Sequence, residues 1–288
     1  MIIKRFFSSI GALLKFINNH IKALLFLLLI GWIFSQSTSD TTKPPNLAQV
    51  ELHGAIEDAK SWVESLHKLQ VDKNIKGVLL HVDSPGGALG PSVEAMLAVK
   101  ALVKAKPVVV YGAGTMASGS YYASIHATHI VANPGAFVGS IGVLFQSPNI
   151  KPLADKIGIE EQIITAGKFK QMGTFTRPWE NHEKDALQNL VDKAYSMFVK
   201  DVATARGLEE KSEGFFAQGK LFLAEDAKEL GLVDSVGGWL EAKELLVALS
   251  GVDTPHWKEP SAFDKALAKL GGSAKTWLGG VSYGLKAY

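Results

Sequence analysis

From about residue 48 the chain alternates short, uninterrupted apolar runs with longer segments that are apolar along one helical face. "GVLLHV" (77–82) and "PVVVYG" (107–112) have no polar/apolar alternation, the pattern of strands covered on both faces. "VELHGAI" reads as a strand before them. "EDAKSWVESLHKLQ" follows it with Trp62, Val63, Leu66 and Leu69 on one helical face. "PSVEAMLAVKALVKA" reads as a helix with Pro91 tolerated in its first turn. Residues 129–145 hold two more short apolar runs around Asn-Pro-Gly, and "EQIITAG" (161–167) is a further strand candidate. The longest helix is "ENHEKDALQNLVDKAYSMFVKDVATARG". Its Leu187, Leu190, Val191, Ala194, Phe198 and Val202 recur at 3–4 spacing, and Gly207 supplies the stop. Repeated β-turn-α units of this kind predict an α/β layer fold with a mostly parallel sheet.

The front of the chain has a different texture. Residues 1–39 carry Lys4, Arg5, Lys15 and Lys22 and no acidic residue, so they hold +4 of a net +2 and leave −2 for the rest. "ALLFLLLIGWIF" (23–34) is strongly apolar. The reading is a basic cytoplasmic segment (1–22), a transmembrane signal anchor (21–36) and a polar, proline-containing linker (37–47), with a cleaved signal peptide as the alternative. That topology is single-pass and puts the domain at 48–250 on the extracytoplasmic side of the cell (inner) membrane. The near-neutral balance gives no reason to expect a nucleic-acid partner. The absence of cysteine excludes disulfides and thiolate chemistry.

Two turns stand out. "HVDSPGG" (81–87) ends a buried strand in adjacent glycines, whose N–H groups could hold a developing oxyanion, although a tight turn alone also explains them. "TMASGSYYAS" (115–124) leaves a second strand through Ser118, Gly119 and Ser120. Small residues there allow close helix–sheet packing; equally, a serine at a strand-to-helix turn is presented beside backbone N–H groups. The phosphate-loop and dinucleotide-loop patterns are absent, as is HExxH, so neither a metal nor a cofactor is expected in the chemistry.

"VDSPGG", "MASGSYYAS", "GSIGV" (139–143), "GKFKQMGTFTRPW" and "GKLFLAEDAKELGLVDSVGG" (219–238) occur in that order. Together they closely resemble the signal peptide peptidase A (SppA)/SohB family of membrane-anchored serine endopeptidases, with a ClpP/crotonase-like fold, over residues 48–240. The resemblance implies a nucleophile at Ser118, a lysine general base at Lys170, and oxyanion donors at the backbone N–H of Gly87 and Gly119. It further implies peptide substrates, chiefly signal-peptide remnants with small or apolar side chains, cleaved in or at the membrane. Ring-shaped homo-oligomers with the Ser–Lys dyad shared between protomers are implied too.

A serine hydroxyl needs a neighbour to take its proton, and a lysine can do so only when desolvation keeps it neutral. Ala166, Phe169 and Met172 are the expected apolar company, with Lys168 as a like charge. Two positions depart from the family pattern: Ser120 replaces a glycine and puts a rival hydroxyl nearby, and Gln171 stands where an aspartate is common. The histidines near these loops, His81, His126 and His129, are a rival source of base; His81, in an apolar strand, reads better as a hydrogen-bonded core residue. Gly139, Ser140, Ile141 and Gly142 are expected to line the cleft, where extended peptides add to a sheet edge. Residues 251–288, with Phe263, Leu267, Leu270, Trp277 and Leu278, form an amphipathic tail. Two other classes stay open: a non-catalytic membrane-anchored scaffold of the same fold, and a crotonase-like acyl-CoA enzyme.

Overall fold

The structure, a computed structural model, describes residues 44–258, a strand at Leu285–Ala287, and eight scattered positions between 20 and 30, all eight helical. Among the described residues no helix is long and apolar enough to cross a membrane. The segment 1–22, the anchor at 21–36, the linker and the amphipathic residues of the tail lie mostly or wholly outside the described residues. The chain divides into two compact units, Met1–Pro44 with Pro260–Leu278, and Pro45–Glu259 with Gly279–Tyr288. Every element described below belongs to the second.

Its sheet is α/β in character and mostly parallel. Strands β1 (Leu47–His53), β2 (Gly77–Ser84), β4 (Val108–Ala117) and β5 (His129–Ala132) form its centre, flanked by β10 (Trp257–Lys258) and β9 (Ser235–Val236) in the order β10-β1-β2-β4-β5-β9. β6 (Phe137–Gly139) pairs parallel with the far end of β4, and β8 (Leu221–Leu223) pairs antiparallel with β6. A second, three-stranded sheet joins β3 (Gly87–Ala88), β11 (Leu285–Ala287) and β7 (Leu144–Phe145).

The apolar runs are continuous because both faces of the sheet are covered. Val78, Leu80, Val82, Val108 and Val110 face the larger core, with α1 (Lys60–Val71), α2 (Leu89–Val103) and part of the long α5 (Asn181–Arg206). Their neighbours Leu79, Val109 and Tyr111 turn to the other side, where Ala242 and Leu246 of α8 (Trp239–Ser250) meet them. Each such aliphatic chain withdrawn from water contributes about 1.5–3 kcal/mol.

The long helix ends where expected, with Gly207 left-handed at φ 67°. Within it Leu187, Ala194, Phe198 and Val202 are buried, but Leu190 is 46% exposed, because the buried stripe passes to one side of it. "EQIITAG" is a correction: residues 161–167 form no strand, and every one is exposed. Its apolar residues suit a strand, yet among the described residues no strand pairs with it to take its backbone hydrogen bonds. The chain reaches it through α4 (Lys151–Ile157), a short helix with no buried residue.

Candidate active site

β4 ends at Ala117, and Ser118 turns the chain into α3 (Gly119–Ser124), a helix of six residues. Ser118 adopts φ 53°, ψ −120°, outside the regions an L-residue favours, at a cost of about 1–3 kcal/mol. Its surroundings hold it there. Its N–H donates to the carbonyl of Gly139 at 2.7 Å, and its own carbonyl accepts from Tyr122 N–H at 2.8 Å. Behind the turn, the Tyr121 hydroxyl donates to the carbonyl of Leu232 at 2.9 Å, and the Tyr122 ring stacks on Phe198 with centroids 4.2 Å apart. Burial pushes both tyrosine pKa values up, so both keep their donor proton. Ser118 is fully buried, and its Oγ has no hydrogen-bond partner among the described residues.

Two glycines converge on this turn. A Cβ added at Gly119 would lie 2.1 Å from Ser92 Oγ and 3.2 Å from the backbone nitrogen of Gly87, so β3 passes directly beside the start of α3. A Cβ at Gly87 would lie 2.3 Å from the Ile56 carbonyl oxygen and 2.5 Å from its nitrogen. Those are backbone atoms that cannot swing aside, so only glycine fits between Ile56 and the turn. The neighbouring hydroxyl of Ser120 is committed elsewhere: it receives the Ala117 N–H at 2.9 Å and lies 2.6 Å from the Ser84 carbonyl. It tightens the turn and is not a second free nucleophile.

The segment Gly139–Gly142 lies beside the turn, since the Gly139 carbonyl accepts the Ser118 N–H. Gly139 (φ 104°) and Ser140 (φ 50°) are both left-handed. Ser140 N–H donates to the carbonyl of Lys220 at 2.6 Å, and Ile141 is wholly buried. The Ile141 carbonyl accepts the Gly219 N–H at 2.9 Å, so the backbone here is tied to the segment before β8, and the Ile141 side chain belongs to the core. Along β3, β11 pairs antiparallel with Ala287 opposite Gly87, so an extended segment already lies on the strand beside Ser118.

A model of peptidase family S49 matches residues 100–253. The chain belongs to peptidase family S49. A provisionally named protease of Methanocaldococcus jannaschii is 42% identical over 200 residues, covering 69% of this chain and 64% of that protein. A second, from Synechocystis, is 34% identical over 224 residues, covering 77% and 79%. Relatives named protease 4, in Salmonella typhi, and serine protease SPPA, in Arabidopsis thaliana, are matched over only 40% and 27% of their lengths. Among solved structures, a variant of a membrane-bound stomatin-specific protease superposes with TM-score 0.50 at 13% identity, over 76% of this chain and all of that one, which is a likeness of fold.

Lys170, the lysine expected from the resemblance, makes no hydrogen bond to Ser118 Oγ. Lys170 is exposed on a turn, with its N–H donating to the Gly167 carbonyl at 3.1 Å. Ala166 and Phe169 are exposed as well; of the apolar residues expected near this lysine, Met172 alone is half-buried beside it. Lys170 borders a shallow cavity of about 510 Å3 with Phe145, Ile163, Met172 and Phe175. No histidine reaches Ser118 Oγ either: His129 contacts Ser235 Oγ at 2.9 Å, and His81 lies 2.8 Å from Glu51.

Arg177 is the feature that motif reading missed. It donates to both carboxylate oxygens of Glu183 at 2.8 Å and to Gln171 Oε1 at 3.4 Å, tying the Lys170 turn to the start of α5. Glu183 also accepts the Glu180 N–H at 2.8 Å in a capping box, and its side chain is 1% exposed. A Glu three residues after a helix start was the available signal. Hydrogen bonding to Arg177, opposed by burial and helped by Glu180, lowers the Glu183 pKa from 4.5 to about 2. A depressed folded-state pKa stabilises above the unfolded value, and the gain is lost as pH falls towards about 2. Glu183→Gln is expected to cost about 2 kcal/mol at pH 7. The difference from wild type should shrink as pH falls below 4, read from urea midpoints at pH 7 and pH 3.

Proposed function

We propose that the chain is a serine endopeptidase with a Ser–Lys dyad, in which Ser118 is the nucleophile and Lys170 of a neighbouring protomer is the general base. The observation that carries the reading is the buried Ser118 hydroxyl, held unpartnered at a strained turn beside the backbone of Gly87 and Gly119. Strain of that kind persists where surrounding structure enforces it, and clusters at reactive groups. Chemically, Oγ attacks the scissile carbonyl carbon while its proton passes to the lysine amine. The resulting oxyanion is held by the Gly87 and Gly119 N–H groups. Collapse breaks the C–N bond, the leaving amine takes the proton back from the lysine, and water then hydrolyses the acyl-enzyme by the same route.

Sharing of the dyad is supported by what one chain leaves exposed. Ile150, Leu153, Ile157, Ile159, Ile163 and Ile164 form an uncovered apolar stretch leading to the Lys170 turn, with Ile164 fully exposed. A second protomer packed there would cover it and desolvate the lysine. A ring-shaped homo-oligomer meets both needs. Substrates are extended peptides that take the place of β11 along β3, bordered by Gly139–Gly142, with signal-peptide remnants as the class. The apolar run at 23–34 with its basic flank supports a single-pass anchor and a catalytic domain on the extracytoplasmic side.

A serine-reactive fluorophosphonate separates this reading from a non-catalytic scaffold or an acyl-CoA enzyme. The detergent-extracted full chain should gain one adduct, located by mass spectrometry on Ser118 and lost in Ser118→Ala. An unlabelled wild-type protein, or an adduct on Ser120, overturns it.

A further inference from the structure

β1 and β2 run parallel with Glu51 paired beside His81. Residues two apart on a strand share a face, so His53 joins them on the side of the sheet that α8 covers farther along. Glu51 Oε2 lies 2.8 Å from both His53 Nε2 and His81 Nδ1. One ligand atom from each residue lies within 4.8 Å of the other two. His81 Nδ1 is buried, and despite its closeness to Glu51 it makes no well-directed hydrogen bond. The His81 ring is held by His53 and Tyr111, with centroids 5.4 and 5.5 Å away. No lysine or arginine pairs with Glu51 among the described residues.

We propose that Glu51, His53 and His81 form a site for a divalent cation of the zinc class, bound through Glu51 Oε2, His53 Nε2 and His81 Nδ1. Two imidazoles and one carboxylate are the donor set that such borderline cations prefer, with water left to complete the shell. Tetrahedral ligands at about 2.1 Å from zinc stand about 3.4 Å apart. The 2.8 Å contacts therefore need to open by roughly half an ångström. Glu51 and His53 are exposed, with the second Glu51 oxygen accepting from Gln49 Nε2 at 2.5 Å, while His81 is the more enclosed member.

The position has a structural consequence. Just beyond His53, Gly54 N–H donates to the Asp83 carbonyl at 3.1 Å and Ile56 N–H to the Gly86 carbonyl at 2.8 Å. A cation joining Glu51 and His53 to His81 ties down the end of β1 that leads to Ile56, against which Gly87 rests. The site neither uses nor requires the Ser118 chemistry.

The test is titration of the untagged full chain with Zn2+ alone, by calorimetry, and with Co2+ by visible absorption. One ion per chain is expected, with a micromolar or tighter Kd and a thermal midpoint that rises with Zn2+. His53→Ala and His81→Ala should each weaken binding at least about tenfold and remove the Co2+ bands. Because His81 is partly built into the sheet, Glu51→Gln and His53→Ala at exposed positions serve as variants that keep the fold, checked by circular dichroism. No stoichiometric binding by the wild type, or unchanged affinity in His53→Ala, overturns the site.

Discussion

Ser118→Ala should lower kcat/KM for peptide cleavage by about 10^4–10^6-fold, to the level left by binding and oxyanion stabilisation alone. The same substitution should leave the fold almost untouched. The Ser118 hydroxyl donates to nothing and accepts from nothing among the described residues, so its removal orphans no buried partner. The backbone bonds that hold the turn, from Ser118 N–H to Gly139 and from Tyr122 N–H to Ser118, survive the change. A melting midpoint within a few degrees of wild type beside a near-total loss of activity is the expected pair of results. A variant retaining more than about a hundredth of the wild-type rate would move the nucleophile elsewhere, and Ser120, with its hydroxyl bonded at Ala117 and Ser84, is poorly placed to replace it.

Mixing Ser118→Ala with Lys170→Ala by co-expression should restore about a quarter of wild-type activity. Each variant alone should be inactive, the first for want of a nucleophile and the second for want of a base. In an equal random mixture of a head-to-tail ring, the serine donor is the lysine variant at half the interfaces. Its neighbour is then the serine variant half the time, which gives about one intact pair in four. A dyad formed within one chain would be restored at no interface. The exposure of Lys170 and of the apolar stretch before it makes the shared arrangement the one expected here. Native gels must show that the two variants co-assemble. Silent mixed rings would place both residues on one chain.

Much of the fold is legible in the sequence, because its strands and helices are written in local patterns. Residues 77–82 and 107–112 read as strands since an apolar run that short, bounded by turn residues, has little else to become. The α5 helix announced itself through 3–4 spacing and Gly207. The 161–167 segment failed for the opposite reason: strand-forming side chains are local, but a strand also needs an edge to pair with, which is not.

The turn at Ser118 shows the same division. Small residues and a serine after a strand pointed to it, and the order of five motifs made the resemblance specific. That Ser120 is tied to Ser84, that Gly87 leaves no room for a side chain beside Ile56, and that Arg177 clamps Glu183 depends on atoms brought together from distant positions. The Glu51, His53 and His81 cluster is the sharpest case. His81 looked like a core histidine in an apolar strand, and no spacing rule links it to residues some thirty positions earlier; only the parallel register of β1 and β2 sets them on one face. The sequence by itself determined the periodicities, the turns and the motif order that marks the family, all properties of neighbours along the chain. The tertiary structure alone decided which side chains meet, because register and layer packing convert separations along the chain into distances of a few ångströms.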